Sequence, residues 1–229
     1  MVGLGVLGRH ALRRRKIFSS HALFVSESGV PSRDALTVEH SGLLIERGFE
    51  VPVLKDCLRF LDESTVYWDE FYVSGLEESR VRWYTEAVSS LSNLCAVVLE
   101  DRPYFYVDLC AIGASGKTYL ETLSANTRYQ INRAKRLYER EGSVTLHLAQ
   151  SLDEAKAMFL RMRKLHQYSW NRRGQPGAFL SHFSNRFHTN LIELGYSRGE
   201  IQLLEVKAGS KTFGYLYNFV LDGMVSNYQ

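Results

Sequence analysis

Two stretches of sequence decide the fold: LSANTRYQINRAKRLYEREG over residues 123–142 and KLHQYSWNRRGQPGAF over residues 164–179. In the first stretch, Ser124 is placed to cap a helix, because a serine hydroxyl accepts a hydrogen bond from a first-turn N–H group. Free N–H groups at a helix start also attract anions. The helix that follows is rich in cations, which are Arg128, Arg133, Lys135, Arg136 and Arg140. This helix start is therefore a candidate site for an anionic ligand.

The spacing of apolar residues predicts alternating helices and strands along the rest of the chain. Helices are expected over residues 53–61, 77–91, 117–123, 124–141 and 152–170, with another marked by apolar positions from 179 to 191. Strands are expected over residues 2–7, 22–25, 68–73, 143–149, 200–207, 212–221 and 224–229, with a hairpin formed by 95–99 and 104–109. Helices followed by an antiparallel meander predict an α/β (α+β) fold.

The same spacing predicts which side chains are buried. The strand over residues 2–7 is expected to be buried and to lead into a basic turn. The buried stripe of the basic helix is expected to consist of Ile131, Ala134, Leu137 and Tyr138. The helix after the long one is expected to bury Phe179, Phe183, Phe187 and Leu191.

Length, charge and cysteine usage narrow the class of protein. A chain of 229 residues holds one large domain or two small ones, and its 45% apolar content is ordinary for a globular protein. A net charge of +3 does not favour DNA binding. No apolar run approaches the 18 or so residues that a membrane span needs. The cysteines form no C-x-x-C pair, which indicates buried structural thiols and a reducing, cytoplasmic setting at Cys57, Cys95 and Cys110.

Two glycine-containing motifs leave nucleotide binding open as an alternative. Gly3, Gly5 and Gly8 spell G-x-G-x-x-G, which binds a dinucleotide only between a strand and a helix. Residues 111–118, AIGASGKT, satisfy a loosened phosphate-loop pattern in which Lys117 would reach phosphate oxygens. The competing interpretations are glycines within a strand for the first motif and a Gly-Ser-rich connection for the second.

Several polar residues of the second half are candidates for a site. Arg128 lies in a first helical turn, where a cation opposes the helix dipole, so an anionic ligand would explain it, and Asn126 lies beside it. His166 shares a helix face with Met162 and Trp170, so it is either a core residue or a general base. No two histidines have metal-ligand spacing with a carboxylate, so no metal is predicted.

The basic helix, followed by the run H-x-x-x-W-x-x-R-G-x-P-G-x-F from His166 to Phe179, resembles one family. It is similar to the GNAT-type acetyltransferases of cellulose or exopolysaccharide biosynthesis, relatives of the Fem-type aminoacyl transferases, most clearly from Tyr104 onward. The resemblance implies tandem GNAT-like halves, with a mixed, mostly antiparallel sheet flanked by helices. Residues 1–112 would be the remnant of an N-terminal half and 113–229 a C-terminal half, both incomplete at the termini.

The resemblance also implies a function in polysaccharide biosynthesis. An acyl group would pass from a thioester, with acyl-CoA as co-substrate and no tightly bound cofactor, to a sugar, lipid or polymer-precursor acceptor such as a small molecule or glycan precursor. An aminoacyl-tRNA is the alternative donor. His166 would be the base and Tyr228 the acid. The substrate would be bound by Asn126, Arg128, Arg133, Trp170, Arg173, Tyr217 and Asn218.

Other interpretations stay open at this point. The chain could be a non-catalytic, inactive fragment, or an RNA-binding module that uses its basic helix and aromatic side chains. The last strand is expected to present an open edge, which invites association between chains. We therefore expect weak binding of coenzyme A and self-association.

Overall fold

The computed structural model describes residues 1–31, 33–34 and 41–229. The chain divides into two compact units, Met1–Arg102 and Pro103–Gln229. This division lies earlier in the chain than the predicted junction at residues 112–113. Each unit has an apolar cluster of its own.

The first unit combines two helices with short sheets. The helices are α1 (Glu50–Glu63) and α2 (Glu78–Ser89), close to the predicted ranges. Strands β2 (Leu7–Arg14) and β3 (Phe18–Val25) form an antiparallel hairpin, and β5 (Glu70–Tyr72) pairs parallel with β3. The short strands β1 (Gly3–Leu4) and β4 (Leu44–Ile45) pair with each other. The core of this unit is built on Leu54, Leu58 and Ala87.

The N-terminus differs from the prediction in two ways. Residues 2–7 are not a buried strand, since the side chains of Leu4 and Val6 are 54% and 70% exposed. The segment predicted as a basic turn is mostly strand β2, and the chain turns at Arg15 and Lys16, which both have positive φ. The three early glycines therefore lead into a β-hairpin rather than a helix, which excludes the dinucleotide fingerprint.

The predicted hairpin of residues 95–99 and 104–109 is also wrong. Residues 95–108 form neither helix nor strand, and Phe105 is 85% exposed. An apolar run becomes a strand only where another strand can pair with it, and these two runs do not pair. The next residues form helix α3 (Leu109–Ala114), capped by Asp108, and then helix α4 (Tyr119–Thr122). The AIGA residues are thus helical and follow no strand, so the phosphate-loop interpretation is wrong.

The second unit contains the elements predicted for residues 124–229. They are α5 (Ala125–Glu139), β6 (Val144–Leu148), α6 (Leu152–Asn171), α7 (His182–Gly195), β7 (Ile201–Ala208), β8 (Lys211–Leu221) and β9 (Met224–Asn227). The four strands form one antiparallel sheet in the order β6-β7-β8-β9. Together with the mixed sheet of the first unit, this confirms the α/β (α+β) fold with mostly antiparallel strands.

The core of the second unit lies between the helices α6 and α7 and one face of this sheet. Helix α6 buries Ala155, Met158, Phe159, Met162 and His166. They meet Ile192 of α7 and the sheet residues Leu203 and Tyr217. On the opposite face, Leu146 of β6 and Leu216 of β8 remain exposed. The sheet is therefore covered on one side.

Three burial predictions for helices and thiols are wrong. Helix α5 buries none of its residues, and its expected stripe, which includes Ile131 and Leu137, is exposed. Helix α7 packs through Ser184, His188, Ile192 and Gly195. Of the four apolar residues expected on its buried face, Phe179 is buried and Leu191 packs against the core, but Phe183 and Phe187 are exposed. The three cysteines are exposed, free thiols. In each case the apolar pattern was present, but the packing partner lay elsewhere or was missing.

The described residues contain neither a membrane-spanning helix nor a cluster of metal ligands. No helix there combines the length and the apolar character needed to cross a membrane. Nor does that part of the chain bring together three histidine, cysteine or acidic side chains as ligands for a metal ion.

Candidate functional site

The candidate site is built around His188 in the middle of helix α7. Its side chain is fully buried. Aromatic rings enclose it, with centroids between 4.8 and 5.9 Å from the imidazole centroid; they belong to Phe159, Phe179, Phe187, Tyr217 and Tyr228. A histidine in such a cage has few polar neighbours, so those few determine its hydrogen bonds and its tautomer.

Two tyrosine hydroxyls supply the polar contacts of the imidazole. The Tyr217 hydroxyl lies 3.4 Å from His188 Nδ1, and the Tyr228 hydroxyl lies 3.2 Å from Nε2. Tyr217 is fully buried, while Tyr228 is partly exposed. The histidine therefore links the hydroxyl of a buried tyrosine to the hydroxyl of a partly exposed one.

The β8–β9 hairpin explains why the two tyrosines meet. Asp222 and Gly223 have φ of 48° and 78°, the left-handed pair that a two-residue hairpin turn requires. Past the end of β9, the Tyr228 N–H donates to the Tyr217 carbonyl at 2.8 Å, and the Tyr217 N–H donates to the Gln229 carbonyl at 2.8 Å. Backbone pairing thus fixes both side chains on the sheet face that packs against α7.

Burial sets the protonation states in this cluster. Burial lowers the pKa of His188 to about 4, so the imidazole is neutral at neutral pH. Burial also raises the pKa of Tyr217 and of Tyr228, so both hydroxyls keep their protons. At neutral pH the three groups therefore form an uncharged chain of hydrogen bonds.

His166, the predicted base, lies on the other side of Phe179. The centroid of the Phe179 ring is 5.0 Å from that of His166 and 5.5 Å from that of His188. The Ala178 N–H donates to His166 Nε2 at 3.2 Å, and burial lowers the pKa of this imidazole. Gly177 permits that approach, because a Cβ there would lie 2.6 Å from Gln167 Oε1 and 3.1 Å from His166 Cδ2. The Pro-Gly-x-Phe segment is thereby anchored on His166.

The structure gathers some of the predicted site residues and leaves others apart. Trp170 lies beside His166, with ring centroids 5.7 Å apart, and the Arg173 guanidinium is 5.6 Å from the Trp170 ring centroid. Asn218 is buried and accepts a hydrogen bond from Asn227 at 2.9 Å. Trp170 is partly exposed and Arg173 is exposed, whereas Asn218 follows Tyr217 on strand β8.

The predicted residues on α5 have other surroundings. The Arg128 guanidinium donates to the Leu123 carbonyl at 2.5 Å, and both Asn126 and Arg133 are exposed. In the described part of the chain, no hydrogen bond, ion pair or ring contact joins these three residues to His166 or Trp170. Convergence of the two groups in one cleft stays a prediction.

A second polar cluster surrounds Glu205 on β7. Its buried carboxylate accepts hydrogen bonds from Thr212 at 2.8 Å and Tyr215 at 3.0 Å, and Lys207 Nζ lies 3.2 Å away. Burial alone would raise the pKa of Glu205, but these hydrogen bonds outweigh it and hold the pKa below its ordinary value. With its oxygens occupied, this carboxylate ties the strands together and is not free to accept a proton.

Three buried polar atoms near the cage lack a hydrogen-bond partner among the described residues. They are Ser184 Oγ, Asn185 Oδ1 and Arg163 Nε. Ser184 precedes His188 by one helical turn and so lies on the same face of α7. The Arg163 guanidinium is 5.7 Å from the Phe159 ring centroid, and burial lowers its pKa. Buried polar atoms without a hydrogen-bond partner are rare in proteins.

His188 is not among the site residues that the sequence predicted. The signal for it was the helical spacing of Ser184, His188 and Ile192, which was hidden by the more apolar Phe183 and Phe187. The two tyrosines were predicted from the family resemblance. What the sequence did not show was that α7, rather than α6, places a histidine between them.

Comparison with known proteins gives one family. A family model described as an acetyltransferase (GNAT) domain matches residues 125–229. That range holds the whole His188 cluster and supports the GNAT family for this part of the chain. No curated protein and no solved structure shows a significant match.

Proposed function

We propose that the second unit is an acyltransferase that uses Tyr228 as its proton donor. The donor would be a thioester, with acyl-CoA as co-substrate, and the acceptor an amine or hydroxyl on a sugar, lipid or polymer precursor. The observation that carries this proposal is the partly exposed Tyr228 hydroxyl held on the buried His188, within the region that matches the acetyltransferase family.

The chemistry would be direct transfer. The acceptor's nitrogen or oxygen attacks the thioester carbonyl, the bond from carbon to sulfur breaks, and the electron pair leaves on sulfur. Tyr228 gives its hydroxyl proton to that sulfur, and the proton released by the acceptor returns to the Tyr228 oxygen. Burial raises the pKa of Tyr228, so its hydroxyl carries a proton at neutral pH that it can donate.

Binding of the substrate would use polar groups around the cluster. Trp170 offers an aromatic face and Arg173 a cation beside it. Asn126, Arg128 and Arg133 stay candidates for an anionic group of the substrate, because the start of α5 combines free N–H groups with guanidinium groups.

The setting of the reaction is also part of the proposal. The resemblance to polysaccharide-related acetyltransferases suggests a glycan precursor as acceptor. A cytoplasmic location is supported by the three exposed thiols, which stay reduced there.

Thiol release from acetyl-CoA tests the proposal. The chain is incubated with acetyl-CoA and a panel of amino sugars and sugar alcohols, and free thiol is measured. Tyr228→Phe should lower the rate about 100-fold or more, as expected when a general acid is lost. Tyr119→Phe, which removes an exposed hydroxyl on α4, should leave the rate unchanged. Full activity in Tyr228→Phe, or no acceptor-dependent thiol release, would overturn it.

A further inference from the structure

We propose that His188 is a positioning residue that turns the Tyr228 hydroxyl proton outward, and that Tyr217 fixes the imidazole in the tautomer this requires. The inference rests on the proposed function only for its link to catalysis. The hydrogen-bond directions follow from the geometry of the three side chains and are tested separately.

A neutral imidazole offers one donor nitrogen and one acceptor nitrogen. With hydroxyls at both nitrogens of His188, two arrangements exist. In one, Nδ1–H donates to the Tyr217 oxygen and the Tyr228 hydroxyl donates to Nε2. In the other, the Tyr217 hydroxyl donates to Nδ1 and Nε2–H donates to the Tyr228 oxygen.

Burial of Tyr217 decides between them. Its side chain is fully buried, and among the described residues its hydroxyl makes a hydrogen bond only with His188. In the first arrangement the Tyr217 O–H would have no acceptor, and a buried donor without an acceptor carries its full desolvation penalty. In the second arrangement every donor of the buried pair is satisfied. The geometry therefore assigns the proton of His188 to Nε2.

This assignment determines what Tyr228 can do. Because its oxygen accepts from Nε2–H, its own O–H proton points away from the imidazole, toward the partly exposed side. When that proton passes to the departing sulfur, the phenolate oxygen is still held by Nε2–H, as a donor at a developing anion should be. The acceptor's proton then restores the hydroxyl. His188 keeps its Nε2 proton throughout and does not change charge.

The directions can be read from imidazole nitrogen shifts in protein labelled with nitrogen-15 histidine. We expect His188 to show an unprotonated, hydrogen-bonded Nδ1 at neutral pH. Tyr217→Phe should move the Nδ1 shift to that of a nitrogen without a hydrogen bond, while leaving it unprotonated. Tyr215→Phe removes a hydroxyl from the same strand that bonds Glu205 instead, and it should leave the His188 shifts unchanged. A protonated Nδ1, or an Nδ1 shift insensitive to Tyr217→Phe, would overturn the inference.

Kinetics of thiol release from acetyl-CoA test the link to catalysis. His188→Leu should lower kcat about tenfold or more, with KM changed by less than about twofold, because the lost contact acts in the transition state. His188→Gln, which restores an N–H donor, should recover part of kcat. Equal rates in both folded variants would refute the positioning role. The wild-type chain could show the expected nitrogen shifts of His188 and yet release no thiol. That result would support the hydrogen-bond directions and reject the proposed function.

Discussion

Helices α5 and α6 share three sequence features but have different environments. Both begin at a serine whose hydroxyl accepts a hydrogen bond from the N3 amide, both carry several cations, and both have an apolar stripe. Yet α6 buries five residues and α5 buries none. Helix α6 packs against α7, β7 and β8, whereas α5 reaches β6 and the ring of Phe213 through Tyr138. Apolar spacing shows which face of a helix is suited to burial, but it does not show whether a partner is present.

The strongest test of this difference is a cavity in α6. Phe159→Ala should lower the free energy of unfolding of the second unit by about 3–5 kcal/mol, because its ring packs against Phe179, His188 and Tyr217. Urea dependence of amide protection in α6 measures the loss. Phe105→Ala, at a highly exposed ring, should cost little. Equal losses in the two variants would show that the α6 contacts do not hold the unit together.

The second-largest effect is expected from acid, which should lower the free energy of unfolding of the α6–α7 core. Burial lowers the folded-state pKa of His188 from an ordinary value of 6.5 to about 4, so the unfolded chain binds its proton first as pH falls. The stabilisation is complete above about pH 6.5 and is lost progressively toward pH 4, by about 3 kcal/mol. Burial shifts the pKa of His166 in the same direction.

Urea midpoints measured in steps between pH 7 and pH 4 give this slope. His188→Gln should flatten it, whereas His182→Gln, at an exposed position at the start of α7, should not. A slope that is the same in all three proteins would place the titrating group elsewhere.

Removing the serine cap of each helix gives a smaller expected effect, and the same substitution can be compared in α5 and α6. Ser151 Oγ accepts the Glu154 amide at 3.1 Å, and Ser124 Oγ accepts the Thr127 amide at 3.2 Å. Ser151→Ala should lower the free energy of unfolding by about 1 kcal/mol. Ser124→Ala should fray α5 alone and leave the unfolding midpoint unchanged, since α5 buries no residue. Hydrogen exchange in the first turn of each helix distinguishes local fraying from global loss.

The smallest effect is expected on α5 itself. Leu137→Ala should change the free energy of unfolding by less than about 0.5 kcal/mol, because Leu137 is exposed. Arg128→Ala should cost about 1 kcal/mol, because it removes one hydrogen bond of a partly buried side chain. Arg128→Ala should also weaken binding of acetyl-CoA, measured by calorimetry, if the start of α5 holds an anionic group. A loss of several kcal/mol at Leu137 would mean that the α5 stripe is buried after all.

Much of the second unit could be predicted because its elements carry their own boundaries. Ser124 and Ser151 mark helix starts, Gly174 and Pro176 follow a helix end, and Asp222-Gly223 marks a hairpin. Residues 95–108 could not be predicted in the same way, because a strand depends on a partner that its own sequence does not specify.

The site was predictable only in part, for a similar reason. Alternation placed Tyr217 and Tyr228 on sheet faces, and the adjacency of His166 and Trp170 followed from helical spacing. The contact of His188 with both tyrosines depends on how α7 lies on the sheet. No local pattern encodes that angle, so His188 was not among the predicted site residues.

The turn at Asp222 and Gly223 sets the register of the β8–β9 hairpin and thereby the position of Tyr228. Tyr228 lies five positions after Gly223, and side chains along a strand alternate between faces. Displacement by a single residue would therefore bring Asn227 or Gln229 opposite the imidazole and carry the phenol to the other side of the sheet. Such a shift would abolish the hydroxyl contact without disturbing the helices. The length of the hairpin loop thus determines which side chain faces His188. A change in that length should affect the site more than most substitutions in the aromatic cage.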